Sequence, residues 1–101
     1  MPEFGTPYSV LSAHRKVNKE ELIRSIRFFI AAEYEAIQLY TEIAESTDDP
    51  LAKKVLYDIA DEERVHAGEF LRLLKELDKD EEKFYQEGEK EVEEMMEELK
   101  D

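Results

Sequence analysis

Cysteine is absent from this sequence, which excludes disulfides, zinc-finger sites and thiolate catalysis. Glycine and proline occur only three times each, and Pro2, Gly5 and Pro7 all fall in the first seven residues. Long hydrophobic runs are missing too. The longest, Phe28 to Ala32, is far too short to span a membrane. The first residues carry Glu3 and no basic cluster followed by an apolar run, so no signal peptide is expected there. Positive charge is scarce: 14 lysines and arginines against 27 acidic residues leave a net charge of −13. Such a surface repels nucleic acid and anionic membranes and attracts cations, metal ions included. A soluble, cytoplasmic protein is the expectation. Its 101 residues allow one domain at most.

What is present is helical periodicity. Residues 1–17 show no period and read as a flexible or docked N-terminal arm, with His14 solvated. Asn18 followed by Glu21 forms a capping box. From there Leu22, Ile26, Phe29, Ile30, Ile37, Tyr40 and Ala44 recur at helical spacing to about Ser46. "STDDP" breaks the pattern, with Asp49 as N-cap of a second helix and Pro50 at its first position, where the missing N–H costs nothing. That helix carries Ala52, Leu56, Ile59, Ala60, Ala67, Phe70, Leu74 and Leu77 on one face. Asp78 with Glu81 resembles another capping box, opening an acidic third helix from about Lys79 to Lys100 that Gly88 weakens. Met95 and Met96 there read as contact residues. No β-pattern appears. The predicted fold is all-α: residues 18–78 form a long antiparallel two-helix hairpin, and residues 79–101 an acidic C-terminal helix. Two helices hide one stripe each and leave much apolar surface wet, so pairing of two hairpins into a four-helix bundle is expected.

The apolar stripe of the first helix contains an anomaly. Setting 100° per residue, Ile26, Phe29, Ile37, Tyr40 and Ala44 lie within about 40° of Glu33, whereas Glu35 and Glu42 fall on the opposite, solvated side. Burying a carboxylate costs several kcal/mol unless something compensates. On the second helix Glu63 and His66, three residues apart, intrude in the same way. Glu33 and Glu63 each lie fifteen residues from Asp48 at the turn. In a hairpin they face each other roughly 22 Å from the turn, at ~1.5 Å per residue. Two carboxylates and an imidazole inside a bundle suit iron or manganese. Glu-x-x-His is half of the ligand set of a di-iron carboxylate bundle, and two chains hold all of it. The plainer readings are a core histidine bonded to a carboxylate, or a glutamate paired with lysine or arginine. The inner faces offer no such cation.

These residues resemble the encapsulated ferritins of the ferritin-like superfamily. The likeness runs from "AAEYEAIQLY" through "STDDPLAKKVL" to "DEERVHAGEFLRLL". It implies a half-ferritin whose two copies build a di-iron ferroxidase centre, with Glu33, Glu63 and His66 as metal ligands and catalytic residues, and Tyr40 beside them. It also implies dimers assembling into a ring, commonly a decamer, and iron storage within an encapsulin nanocompartment. Manganese, calcium or zinc are expected to substitute for iron. The family's auxiliary acidic iron site maps onto Ala32, Glu35 and Leu39, so only Glu35 remains as a way in for iron. The terminal "EEMMEELKD" does not look like a shell-docking peptide. Some archaeal relatives are instead fused in front of the shell protein, and the resemblance leaves open that this chain is such a domain excised. Two other functions fit the residues less fully: a rubrerythrin-like peroxidase, and a metal-free acidic helical adaptor.

Overall fold

The computed structural model describes residues 14–100, and most of the N-terminal arm expected at 1–17 lies outside them. Three helices follow one another, with no strand among the described residues: α1 (Lys19–Ser46), α2 (Pro50–Leu77) and α3 (Lys79–Glu98). The first two form the hairpin.

Helix ends sit where the capping residues put them. Asn18 accepts a hydrogen bond from the Glu21 backbone N–H (2.9 Å), and the Glu21 carboxylate accepts one from the Asn18 N–H (3.0 Å). Asp49 accepts from the Ala52 N–H (2.9 Å), with Pro50 as the first helical residue. The C-terminus of α1 has no basic residue of its own in the last turn. Lys53 of α2 reaches across the turn instead and donates to the Ala44 carbonyl (2.7 Å), serving an orphan acceptor and the negative end of the helix dipole.

Packing divides the hairpin lengthwise. Nearest the turn the buried residues are Ala44 and Ala60, small enough for the helices to approach closely. At the open end Ile23, Ile26, Ile30 and Leu74 form the core, with Leu22, Phe70, Leu71 and Leu77 packed against it. Burying each such side chain contributes about 1.5–3 kcal/mol. The predicted inner face is only partly covered: Phe29 is 45% exposed and Ile37 and Tyr40 are half-buried. One partner helix shields one stripe, and the remainder of a four-helix face stays wet. Glu42 is exposed as expected, whereas Glu35 is half-buried.

One expected cap is not made. Asp78 does cap α3, accepting from the Asp80 N–H (3.1 Å), but Glu81 does not close the box. The Asp78 N–H already donates to the Leu74 carbonyl (2.8 Å), which ends α2. Glu81 turns instead to Arg27 of α1 (2.5 Å) and accepts from the Tyr85 hydroxyl. Tyr85 and then Arg27 hold its carboxyl below the usual range against burial, and burial with that same carboxylate pushes the Tyr85 hydroxyl up to about 12. This cluster ties α3 to the hairpin. No residue of α3 is buried, and Met95 and Met96 are more than half exposed. No described helix is long and apolar enough to cross a membrane.

Candidate metal centre

Glu33 stands in the middle of α1, and Glu63 and His66 one turn apart on α2. The equal distance of both glutamates from the turn brings them to one level. One ligand atom from each of the three residues lies within 4.8 Å of the others. Among the described residues this is the one such group of metal-capable side chains. His66 Nδ1 is 3.6 Å from Glu63 Oε2 and 3.8 Å from Glu33 Oε2, both beyond hydrogen-bond length. The carboxylate side chains are 17% and 19% exposed, whereas the imidazole is 48% exposed and opens outward.

The decisive atom is Glu33 Oε2, which is shut off from solvent and has no hydrogen-bond partner. A buried acceptor left without a partner costs ~1–3 kcal/mol, and more when it is charged. No arginine or lysine among the described residues forms an ion pair with Glu33 or Glu63, although arginines do so elsewhere. Two carboxylates and an imidazole with no hydrogen bond among them fit a cation. Oxygen and nitrogen donors without thiolate favour iron or manganese over a soft metal. Donors on one ion at bond lengths of ~2.0–2.2 Å stand ~4 Å apart or less, so the observed spacing needs only small side-chain rotations.

An open cleft of about 310 Å³ adjoins the group, lined by Glu33, His66, Glu69 and Phe70. The Phe70 ring packs on Phe29 at a centroid distance of 5.6 Å, tilted 47°, in the region where the cleft meets the core. Glu69 is an addition to the predicted residues. Its signal was in the sequence, three positions after His66 in "HAGEF", where helical spacing puts two side chains on one face. Tyr40 is half-buried two turns nearer the hairpin turn than Glu33. Glu35 lies outside both the three-residue group and the cleft lining, with Leu39 43% exposed. His14 is exposed, in the left-handed region at φ 54°.

Comparison with known proteins agrees with this architecture. The rubrerythrin family model matches residues 11–101. A ferritin-like–encapsulin shell fusion protein of Pyrococcus furiosus is 40% identical over 70 residues, covering 69% of this chain and 20% of that protein. The encapsulin nanocompartment cargo protein EncC of Myxococcus xanthus is 42% identical over 78 residues, covering 77% of this chain and 58% of that protein. The chain thus spans less than two-thirds of the length of either curated relative. Among solved structures, the encapsulated ferritin domain of Pyrococcus furiosus superposes with a TM-score of 0.75 at 36% identity, covering 93% of this chain and 87% of that one. Its three helices, its Glu33–Glu63–His66 group and these likenesses together make the chain a member of the rubrerythrin family of ferritin-like domains, of the encapsulated-ferritin kind.

Proposed function

We propose that this chain is half of a ferroxidase, completed when two copies pair their hairpins into a four-helix bundle. The observation that carries the reading is the buried, partnerless Glu33 Oε2 facing His66 and Glu63. One copy offers three ligand side chains, too few for two metal ions. A second copy supplies another Glu33, Glu63 and His66, and the outward-facing imidazole is suited to sharing ions across such an interface. The exposed Phe29 and Val65 supply apolar surface for it.

Fe²⁺ is the substrate. Two ions surrender one electron each, and the pair reduces dioxygen to peroxide, or peroxide to water, with protons from solvent. The protein's own part is electrostatic: carboxylates that favour Fe³⁺ over Fe²⁺ lower the cost of that electron loss. Tyr40 lies along the same stripe, and the family resemblance makes it an outer-sphere residue of the centre. Dimers are expected to assemble further into a ring, commonly a decamer. The names of the two curated relatives, one an encapsulin shell fusion and one an encapsulin nanocompartment cargo protein, support an encapsulin shell as partner; storage of Fe³⁺ inside such a compartment, in the cytoplasm, is part of the proposal.

The test is the rate of Fe²⁺ oxidation. Replacing Glu63 with Ala removes a ligand twice from a symmetric site. It is expected to slow oxidation by more than the roughly 10–100-fold that loss of an outer-sphere partner costs. An ordinary rate in Glu63→Ala overturns the assignment. The family match to rubrerythrin favours one second reading, a peroxidase in which peroxide rather than dioxygen is the oxidant. Oxidation rates with each oxidant, at equal Fe²⁺, distinguish the two.

A further inference from the structure

Glu69 is a carboxylate without an assigned task in an informative place. It is exposed, lines the cleft beside Glu33 and His66, and has no hydrogen-bond or ion-pair partner among the described residues. Two other exposed carboxylates of α2 are neutralised, Asp61 by Arg64 at 2.6 Å, and Glu76 by Lys79 at 2.7 Å and Arg72 at 3.4 Å; Asp58 and Glu62 are exposed without an ion pair, as Glu69 is, but do not line this cleft. An unpaired charge at the mouth of a cleft whose inner wall already holds an unpaired carboxylate raises the negative potential there. Low-dielectric walls strengthen such a field, and here Phe70, packed on Phe29, forms one wall.

Resting on the ferroxidase reading, we infer that Glu69 is the capture carboxylate for divalent cations. It draws hydrated Fe²⁺ into the cleft and passes it inward to Glu33 and His66 without being a ligand of the completed centre. The position supports transfer rather than final ligation. In the unpaired chain Glu69 is exposed, whereas the ligand carboxylates are largely buried, and its atoms fall outside the compact three-residue group. The inference assigns uptake to the cleft side of the hairpin. Glu35, on the opposite side of α1, does not line that cleft.

Stopped-flow binding of Co²⁺ to the full chain, followed by its visible absorbance, tests this independently of turnover. Glu69→Gln is expected to slow Co²⁺ association roughly tenfold at low salt, with the number of bound ions unchanged. Glu69→Lys slows it further, and added salt narrows the gap between variant and parent. Glu42→Gln, a change at an exposed carboxylate on the far side of α1, leaves the rate alone. In Fe²⁺ oxidation the Glu69 variants raise KM and spare kcat. An association rate in Glu69→Gln equal to the parent's overturns the capture role. Loss of stoichiometric binding in Glu69→Gln also overturns it, because the residue is then a ligand. Glu33→Ala is the arm that separates the two readings. Where the Glu69→Gln association rate equals the parent's, Glu33→Ala binding Co²⁺ like the parent means that the metal centre itself is misassigned, and Glu33→Ala losing binding means that only the role of Glu69 has failed.

Discussion

Two glutamates on α1, twelve residues apart, are both withdrawn from water and meet opposite surroundings. Glu21 receives the Arg15 guanidinium at both oxygens (2.6 Å each) and the Asn18 N–H besides. Those bonds, Arg15 first and Asn18 next, hold its carboxyl down to about 2. Glu33 has a second carboxylate and an imidazole for company, and one oxygen with nothing at all. The first is a structural charge with its counter-charge encoded in the chain. The second has a counter-charge that no side chain provides. Sequences readily place an arginine beside a carboxylate, as Arg15, Arg27 and Arg64 illustrate here. Its absence at Glu33 is what carries the proposal of a site for a foreign cation there.

The strongest way to sharpen the contrast is to supply the missing charge. Metal that binds only the paired state stabilises it by RT ln(1 + [M]/Kd), about 2.7 kcal/mol at a hundredfold excess over Kd. Fe²⁺, Mn²⁺ or Ca²⁺ is therefore expected to shift the protein toward dimers and larger rings in size-exclusion chromatography, and Glu33→Ala to abolish the shift. A chain that stays monomeric when saturated breaks the two-copy reading.

Removing the charge is the next largest change, and it predicts opposite signs at the two glutamates. Without metal, Glu33→Leu deletes an unpartnered buried carboxylate and is expected to raise stability by about 1–3 kcal/mol in denaturant unfolding. Glu21→Ala removes a capping box and an ion pair, and lowers the melting temperature by several degrees. Matching signs would mean that Glu33 has a partner in solution.

Acid provides a gentler probe. The folded state holds the Glu21 carboxyl at about 2, against an ordinary 4.5. Folded protein thus binds that proton more weakly than unfolded chain, so this contribution is complete above about pH 4.5 and fades as pH falls toward 2. Melting curves of Arg15→Ala between pH 6 and 2.5 are expected to converge on those of the parent at the acid end. A constant offset across that range counts against the ion pair.

The smallest effect belongs to Arg64, one residue from Glu63 but paired with Asp61 on the exposed side. Arg64→Ala is expected to change stability by no more than the ~0.2–1 kcal/mol of a surface pair, and to leave Fe²⁺ oxidation untouched. A large loss of oxidation there would extend the centre beyond its three ligand types.

How far the sequence could be read follows the range of the interactions involved. The capping box at Asn18, the Asp49–Pro50 start of α2 and the single level of Glu33 and Glu63 depend on neighbours three or four residues away, or on a count from one turn. Helical period and rise convert such spacings directly into directions and heights. The chain by itself therefore determined its helices, its hairpin and the meeting of Glu33, Glu63 and His66. Tertiary structure alone decided which stripe is covered, leaving Phe29 half exposed while Ile23, Ile30 and Leu74 are buried. It likewise sent Glu81 to Arg27, 54 residues away, where a local rule would have closed a capping box. The same holds for the isolation of Glu33 Oε2. Whether a buried atom finds a partner depends on every element packed around it, and no spacing along one helix records that.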